Sequence, residues 1–205
     1  MKLLITATTE ARSNFASQHL AAAEYFCEIV STVESTSLPN KDTLPPPEYI
    51  HCWFASIVFS ALAMEANAQD LLTASDRHEP SAANGRRFRA EDLRRPLMER
   101  YNLLYQVALG GKRLPQDSGI AQEARALVLL RDEIVHFKTE FRSSAPASKT
   151  LEALLRARLP LNPFKCGEIF CPEQCVSAGS SSWAIRVARG FMRHFSEQTG
   201  YRLNV

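Results

Sequence analysis

The residues best suited to chemistry lie in the segment from Arg131 to His136. A histidine with an ordinary pKa of about 6.5 can give or take a proton at neutral pH. An arginine offers a planar fork that can hold two phosphate oxygens. Asp132 precedes His136 by four residues, on the same helix face, where its carboxylate could orient the imidazole. The segment therefore indicates acid–base chemistry beside a bound phosphate.

Arg131 and His136 do not share a face of the helix that would carry them. Five residues at about 100° each leave the two side chains roughly 140° apart around the helix axis. Either the long arginine reaches around the helix, or a second subunit completes the site.

Two segments of the chain resemble the HEPN superfamily of helical proteins. One is the Arg-x4-His pattern of Arg131 and His136, with a polar neighbour and apolar flanks; the other is the Ala-rich, Glu-containing stretch from Ser60 to Asn67. The resemblance covers about residues 48–138, with a weaker echo around Trp183. It implies a metal-independent endoribonuclease whose cleft forms between two copies of the chain. Arg131 would hold the scissile phosphate, His136 would transfer protons, and Asp132 would position His136.

The resemblance also implies a toxin–antitoxin or defence setting, with an antitoxin partner such as a nucleotidyltransferase. The alternative is a non-catalytic HEPN-like module that binds a partner protein or a nucleotide. Arg131 and Asp132 would then belong to a solvated face, and His136 would be a hydrogen-bonded residue near the core. Spacing alone does not distinguish the nuclease from the binding module. Arg189 and His194 have the same interval, but Arg189 lacks a polar residue next to it.

A run of arginines forms a second, weaker candidate site. It could hold an RNA backbone, with Phe88 as a stacking face. Neighbouring acidic residues dilute it, and the net charge of the chain is only +2, so a solvated loop and helix start is the competing interpretation. The arginines are Arg86, Arg87, Arg89, Arg94 and Arg95.

Cys166, Cys171 and Cys175 do not have the spacing of a zinc site, which pairs cysteines two to four residues apart and repeats the pair. We expect structural thiols, no metal and no cofactor. The chain also lacks a Gly-rich phosphate loop, a Gly-x-Ser-x-Gly elbow and a His-Glu-x-x-His motif. Nucleotide hydrolysis and dinucleotide binding are excluded on these grounds.

The elements that must position these residues are predicted to be helices. Apolar residues recur at the three-and-four spacing of a buried helix face in four long stretches, and a short helix and a final amphipathic helix follow. A Pro-rich connector, a polar loop and Gly110-Gly111 separate them. The predicted helices cover about 8–36, 47–74, 90–109, 118–141, 148–158 and 180–200.

These elements predict an all-α protein, an up-and-down bundle of four to five long helices with an additional C-terminal helix. We expect a single domain over residues 1–205, with a core at about 8–142 and an extension at about 143–205 packed on it. The apolar stretch from Trp53 to Met64 is shorter than the roughly 20 residues that cross a bilayer. The N-terminal apolar run is too short for an exported leader. An odd number of cysteines, 5, favours a reducing compartment. The sequence thus predicts a cytoplasmic protein.

Overall fold

The all-α architecture predicted from the sequence is confirmed in a computed structural model of the chain. The structure describes residues 15–37, 45–77, 88–135, 146–164, 170 and 173–201. These residues form six α-helices and two short 3-10 helices, and no strand occurs among them. The α-helices are α1 Phe15–Ser37, α2 Pro47–Arg77, α3 Leu97–Ala108, α4 Gly119–Val135, α5 Pro146–Arg156 and α6 Ala178–Thr199.

Helix α2 lies at the centre of the bundle, where it packs against α1, α3, α4 and α6. Trp53, Ile57, Ala61 and Met64 recur at helical spacing on its inner side and are completely buried. On the side towards α1, Ser56 is buried and its hydroxyl donates to the Ala23 carbonyl at 3.0 Å. Because small side chains occupy this face, the two backbones can approach closely.

The start of α6 is fixed by its own capping box and by hydrogen bonds from two other helices. Ser177 and Ser180 form a reciprocal capping box at its N-terminus, which satisfies backbone donors that a helix leaves free. The Trp53 indole donates to Ser180 Oγ at 2.6 Å, and Glu34 on α1 accepts from the Ala178 backbone N–H at 2.6 Å. α6 is therefore tied to both α1 and α2 at its first turn.

The predicted third helix, about 90–109, is wrong in its first part. Asp92–Arg94 form a 3-10 turn, and α3 begins only at Leu97. Proline disfavours a helical conformation at the preceding residue, and Arg95 is extended, with φ −66° and ψ 152°. The end of the helix is as predicted, because Gly110 and Gly111 have φ of 62° and 92°, values that glycine adopts without steric cost.

The remaining helices differ from the predictions at their ends. α4 is described to Val135, so the predicted continuation to residue 141 lies outside the described residues, as do residues 8–14 of the predicted first helix. α5 begins two residues earlier than predicted, at Pro146, and α6 also begins two residues earlier, at Ala178.

One described segment, Pro47–Ala74 of α2, is long and apolar enough to cross a membrane by length and composition alone. It extends on both sides of the shorter stretch that the sequence singled out. A core helix of a soluble bundle passes the same test, and α2 packs against four other helices. The cytoplasmic location stays a prediction.

Candidate functional site

Arg131 lies near the end of α4 between two carboxylates. Its Nη2 donates to Glu65 Oε1 on α2, and its Nη1 lies 3.2 Å from Asp132 Oδ1. The Arg131 side chain is only 19% exposed, against 26% for Glu65 and 47% for Asp132. Its Nε is buried and has no hydrogen-bond partner among the described residues. The guanidinium is thus held at the edge of the core with its charge compensated.

The local packing explains why Glu65 and Arg131 meet. Each follows a completely buried residue, Met64 on α2 and Leu130 on α4, so each emerges at the rim of the core. The two helices pack together, and the ion pair joins them at this rim. The two segments that carry the HEPN resemblance are therefore in direct contact.

His136 lies outside the described residues, as does the rest of the segment from 136 to 145. Of the three predicted site residues, the structure brings Arg131 and Asp132 together. Asp132 contacts Arg131, and its predicted role of positioning His136 stays a prediction. Val135, the last residue of α4, is 52% exposed.

The predicted RNA-binding run has less free positive charge than its sequence suggests. Arg89 lies 3.4 Å from Glu91, and Arg95 donates its Nε to the buried carboxylate of Asp92 at 2.8 Å. Arg94 is exposed, and Arg86 and Arg87 lie outside the described residues.

Phe88 does not provide the stacking face that was predicted. Its side chain belongs to the hydrophobic core and is only 8% exposed, so a base has no access to its ring. The prediction is wrong because the local sequence shows an aromatic residue among arginines, whereas the packing of the bundle decides on which side that residue lies.

The cysteines show no arrangement that would hold a metal in the described part of the chain. Cys175 is completely buried, whereas Cys166 and Cys171 lie outside the described residues. No group of three His, Cys, Asp or Glu side chains with metal-binding geometry occurs among the residues that were described. Burial, followed by the nearby Glu48 carboxylate, raises the pKa of the Cys52 thiol, which keeps it protonated at neutral pH.

A groove that sequence reasoning did not predict lies between α1, α6 and the start of α4. Its volume is about 1060 Å³. The α6 wall carries Arg186, Arg189, Arg193 and His194, and Glu24 and Glu28 line the α1 wall. Arg189 donates to Glu24 at 2.6 Å across the groove. In the sequence this groove is signalled only by the three-and-four spacing of Arg186, Arg189 and Arg193.

Comparison of the chain with protein-family models, with curated proteins and with solved structures finds no match. The HEPN resemblance therefore depends on the two sequence segments and on the contact between them.

Proposed function

We propose that this chain is a metal-independent endoribonuclease of HEPN type, with Arg131 and His136 as the reacting pair. The observation that carries the proposal is the ion pair between Glu65 and Arg131, which are 66 residues apart in the chain. It joins the two segments that resemble the superfamily. Two resembling segments that are also in contact support the proposal more strongly than a spacing alone.

The ion pair holds the Arg131 guanidinium in a restricted orientation, which reduces the conformational entropy lost when a phosphate binds. We expect the phosphate to replace Asp132 as a partner of Arg131. The Asp132 side chain is half exposed, at 47%, and ion pairs of exposed groups are weak. Once released, the carboxylate of Asp132 is available to orient His136, four residues further along the chain.

The chemistry follows from these roles. His136 takes the proton of a ribose 2′-OH, and the oxygen attacks the adjacent phosphorus. The bond from phosphorus to the 5′-oxygen breaks, and the imidazolium returns a proton to that oxygen. Arg131 stabilises the negative charge that builds up on the non-bridging phosphate oxygens. The products are a 2′,3′-cyclic phosphate and a 5′-hydroxyl, and no metal ion takes part.

The proposed nuclease is a homodimer, because a helix continued to His136 would place it about 140° from Arg131 around the helix axis. Beside Glu65, half-buried apolar residues form a stripe on α2, at Val58, Leu62 and Ala66. Burial of this stripe and of the exposed Val135 by a second copy would bring two Arg131 residues near a two-fold axis. Light scattering that reports a monomer at micromolar concentration would count against a shared cleft.

The setting that we propose is cytoplasmic, with an antitoxin partner of nucleotidyltransferase type that restrains the nuclease. This part of the proposal depends on the HEPN resemblance. Growth arrest on expression of the chain, relieved by co-expression of the product of an adjacent gene but unaffected by an unrelated protein, would support it.

A non-catalytic HEPN-like module that binds a protein or a nucleotide is the second candidate. The observation that favours it is the compensation of the Arg131 charge by two carboxylates, Glu65 and Asp132. Such an arginine can be a structural residue that joins α2 to α4. The two candidates differ in one measurable property, the cleavage of RNA.

The deciding experiment is an RNA cleavage assay on purified chain in the presence of EDTA. We expect cleavage with 2′,3′-cyclic phosphate ends and no cleavage of DNA, which lacks the 2′-hydroxyl. His136→Ala should lower the rate about 10²- to 10⁴-fold. Arg131→Lys should also be impaired, because an ammonium group cannot make the two-pronged phosphate contact.

A matched control is His51→Ala, which removes an exposed histidine on α2 and should leave the rate unchanged. Wild-type chain, free of bound inhibitor, that cleaves no RNA would replace the ribonuclease with the interaction module. The same conclusion would follow if His136→Ala cleaved as fast as the wild type.

A further inference from the structure

The α6 wall of the groove presents arginines in a regular row. Arg186, Arg189 and Arg193 are three and four residues apart, so they lie on one face of the helix. At 1.5 Å per residue the row is about 10 Å long. A row of this kind suits a ligand with several negative groups along its length.

The charges of this row are more available than those of the basic run near α3. Arg186 and Arg193 are exposed, and neither forms an ion pair with a described residue. Arg189 does pair with Glu24, but the two side chains are 42% and 47% exposed, and such pairs contribute little to stability. Arg89 and Arg95, in contrast, each have an acidic neighbour close by.

The groove is not uniformly positive, and this narrows the choice of ligand. Glu24 and Glu28 on α1 face the arginines, and Glu197 lies at the end of the row. A simple polyanion would be attracted by one wall and repelled by the other. Single-stranded RNA carries phosphates for the arginines and also hydrogen-bond donors, namely 2′-hydroxyls and exocyclic amino groups, that a carboxylate can accept.

The floor of the groove offers apolar surface and space. Ile120 and Ile185 contribute to its lining, and Gly190 has no side chain to fill it. A Cβ at position 190 would lie 3.9 Å from Ile120 Cδ1, which is ordinary contact. The volume of about 1060 Å³ is at the upper end of small-molecule pockets, which reach about 1,000 Å³. A segment longer than one nucleotide fits this space.

We propose that the groove between α1 and α6 binds single-stranded RNA, with phosphates on Arg186 and Arg193 and ribose hydroxyls on Glu28. The inference rests on the proposed ribonuclease function and gives its substrate a second contact surface. It also assigns Glu28 a role in the preference for RNA over DNA.

The test measures binding separately from cleavage. A labelled single-stranded uridine oligonucleotide is titrated with the His136→Ala chain, which should cleave it about 10²- to 10⁴-fold more slowly, and fluorescence anisotropy is recorded at several salt concentrations. Adding Arg186→Glu and Arg193→Glu should weaken binding by about 10- to 100-fold. The slope of log K against log salt should fall by about 1.4, at roughly 0.7 per phosphate contact for a single strand.

The matched control is the double change Lys112→Glu and Arg113→Glu, which alters the net charge equally at exposed positions outside the groove. It should weaken binding far less. If both pairs weaken binding equally, or if the intact groove binds no RNA at low salt, the inference is overturned. Glu28→Ala should reduce the ratio of the affinity for RNA to the affinity for DNA of the same sequence. An unchanged ratio would remove Glu28 from the site.

The two proposals fail in distinguishable ways. With the natural His136 present, cleavage of a dinucleotide should be unaffected by Arg186→Glu and Arg193→Glu, because Arg131 lies about 16 Å along α4 from Ile120 of the groove, at 1.5 Å per residue. Binding that depends on these arginines without any cleavage would support the groove and overturn the ribonuclease. Cleavage of RNA by a chain whose binding does not depend on Arg186 and Arg193 would support the ribonuclease and overturn the groove.

Discussion

The carboxylate of Glu65 on α2 binds the guanidinium of Arg131 on α4 at the rim of the helical core. Both side chains are mostly buried, with 26% of Glu65 and 19% of Arg131 exposed. A mostly buried ion pair can be replaced by two apolar side chains with little loss of stability, whereas removal of one partner is costly. Comparing variants that lack one or both partners of the ion pair therefore distinguishes a structural role of Arg131 from a catalytic one.

We predict that Glu65→Leu lowers the free energy of unfolding by about 1 to 3 kcal/mol, because Arg131 is left largely buried without its main partner. Arg131→Met should also be destabilising. The double variant should recover most of the lost stability and still cleave no RNA. Urea unfolding and RNA cleavage of the four proteins provide the measurement, and a double variant that retained cleavage would exclude Arg131 from the mechanism.

Ser180 and Ser181 are neighbours at the start of α6 and are both completely buried, but their hydroxyls differ. Ser180 Oγ accepts from the Trp53 indole at 2.6 Å and donates to the Cys175 carbonyl at 2.6 Å. Ser181 Oγ has no hydrogen-bond partner within the described part of the chain. The pair allows one substitution to be tested in two chemical environments.

Ser180→Ala should lower the free energy of unfolding by about 1 to 3 kcal/mol, since it leaves the buried Trp53 N–H without an acceptor. Ser181→Ala should leave stability unchanged or raise it, because it removes a buried polar group that lacks a partner. Thermal unfolding of the two variants compares them directly. Equal losses would show that the hydrogen bond to Trp53 is not the cause.

The helices could be predicted from the sequence because their periodic apolar residues reflect a local geometry. The break before α3 is marked in the sequence by Pro96, but the tight turn in front of it also depends on Asp92, whose buried carboxylate accepts from the Arg89 backbone N–H and from Arg95. Aspartate favours such turns over a helix interior. A charged side chain at that position gives no sign in the sequence that it will be buried.

The candidate site was predictable in part, for a similar reason. The Arg131–His136 pattern and the Glu-containing segment around Glu65 are local and visible in the sequence. Their contact was not predicted, because it depends on how α2 packs against α4. The groove lies between α1 and α6, which are far apart in the sequence. Only the spacing of the arginines on α6 is visible along the chain. Packing brings Glu24 opposite Arg189, 165 residues away.

Two glycines of α6 should respond in opposite ways to alanine. A Cβ at Gly179 would lie 2.3 Å from Pro160 Cγ, a distance that forces the rigid proline ring to move. We expect Gly179→Ala to destabilise by about 1 to 3 kcal/mol through overpacking. Gly190→Ala meets only ordinary contact, so helix propensity should stabilise it by about 1 kcal/mol. The midpoints of thermal unfolding should therefore shift in opposite directions, and a common direction would contradict the packing described around Gly179.

The buried phenol of Tyr101 should make the fold sensitive to alkali. Its hydroxyl lies 2.9 Å from the Met64 carbonyl and 3.0 Å from Asn67 Oδ1, and the side chain is completely buried. Burial raises the pKa of Tyr101 well above its ordinary value, more than the nearby Arg100 lowers it. The unfolded chain therefore loses this proton first, near pH 10. Below that pH the raised pKa of Tyr101 does not change the free energy of unfolding. Above it, the free energy of unfolding falls by up to about 1.4 kcal/mol per pH unit.

Tyr101→Phe separates the hydrogen bond from the titration. At neutral pH the variant should lose about 1 kcal/mol with the hydrogen bond, while Tyr25→Phe, at a side chain that is 61% exposed, should lose none. Between about pH 10 and 11 the loss caused by Tyr101→Phe should shrink, because the variant no longer has a phenol that must stay protonated to fold. Urea unfolding across this range measures the change. If the difference between Tyr101→Phe and wild type stays constant up to pH 11, the Tyr101 phenol does not contribute to the alkaline loss of stability.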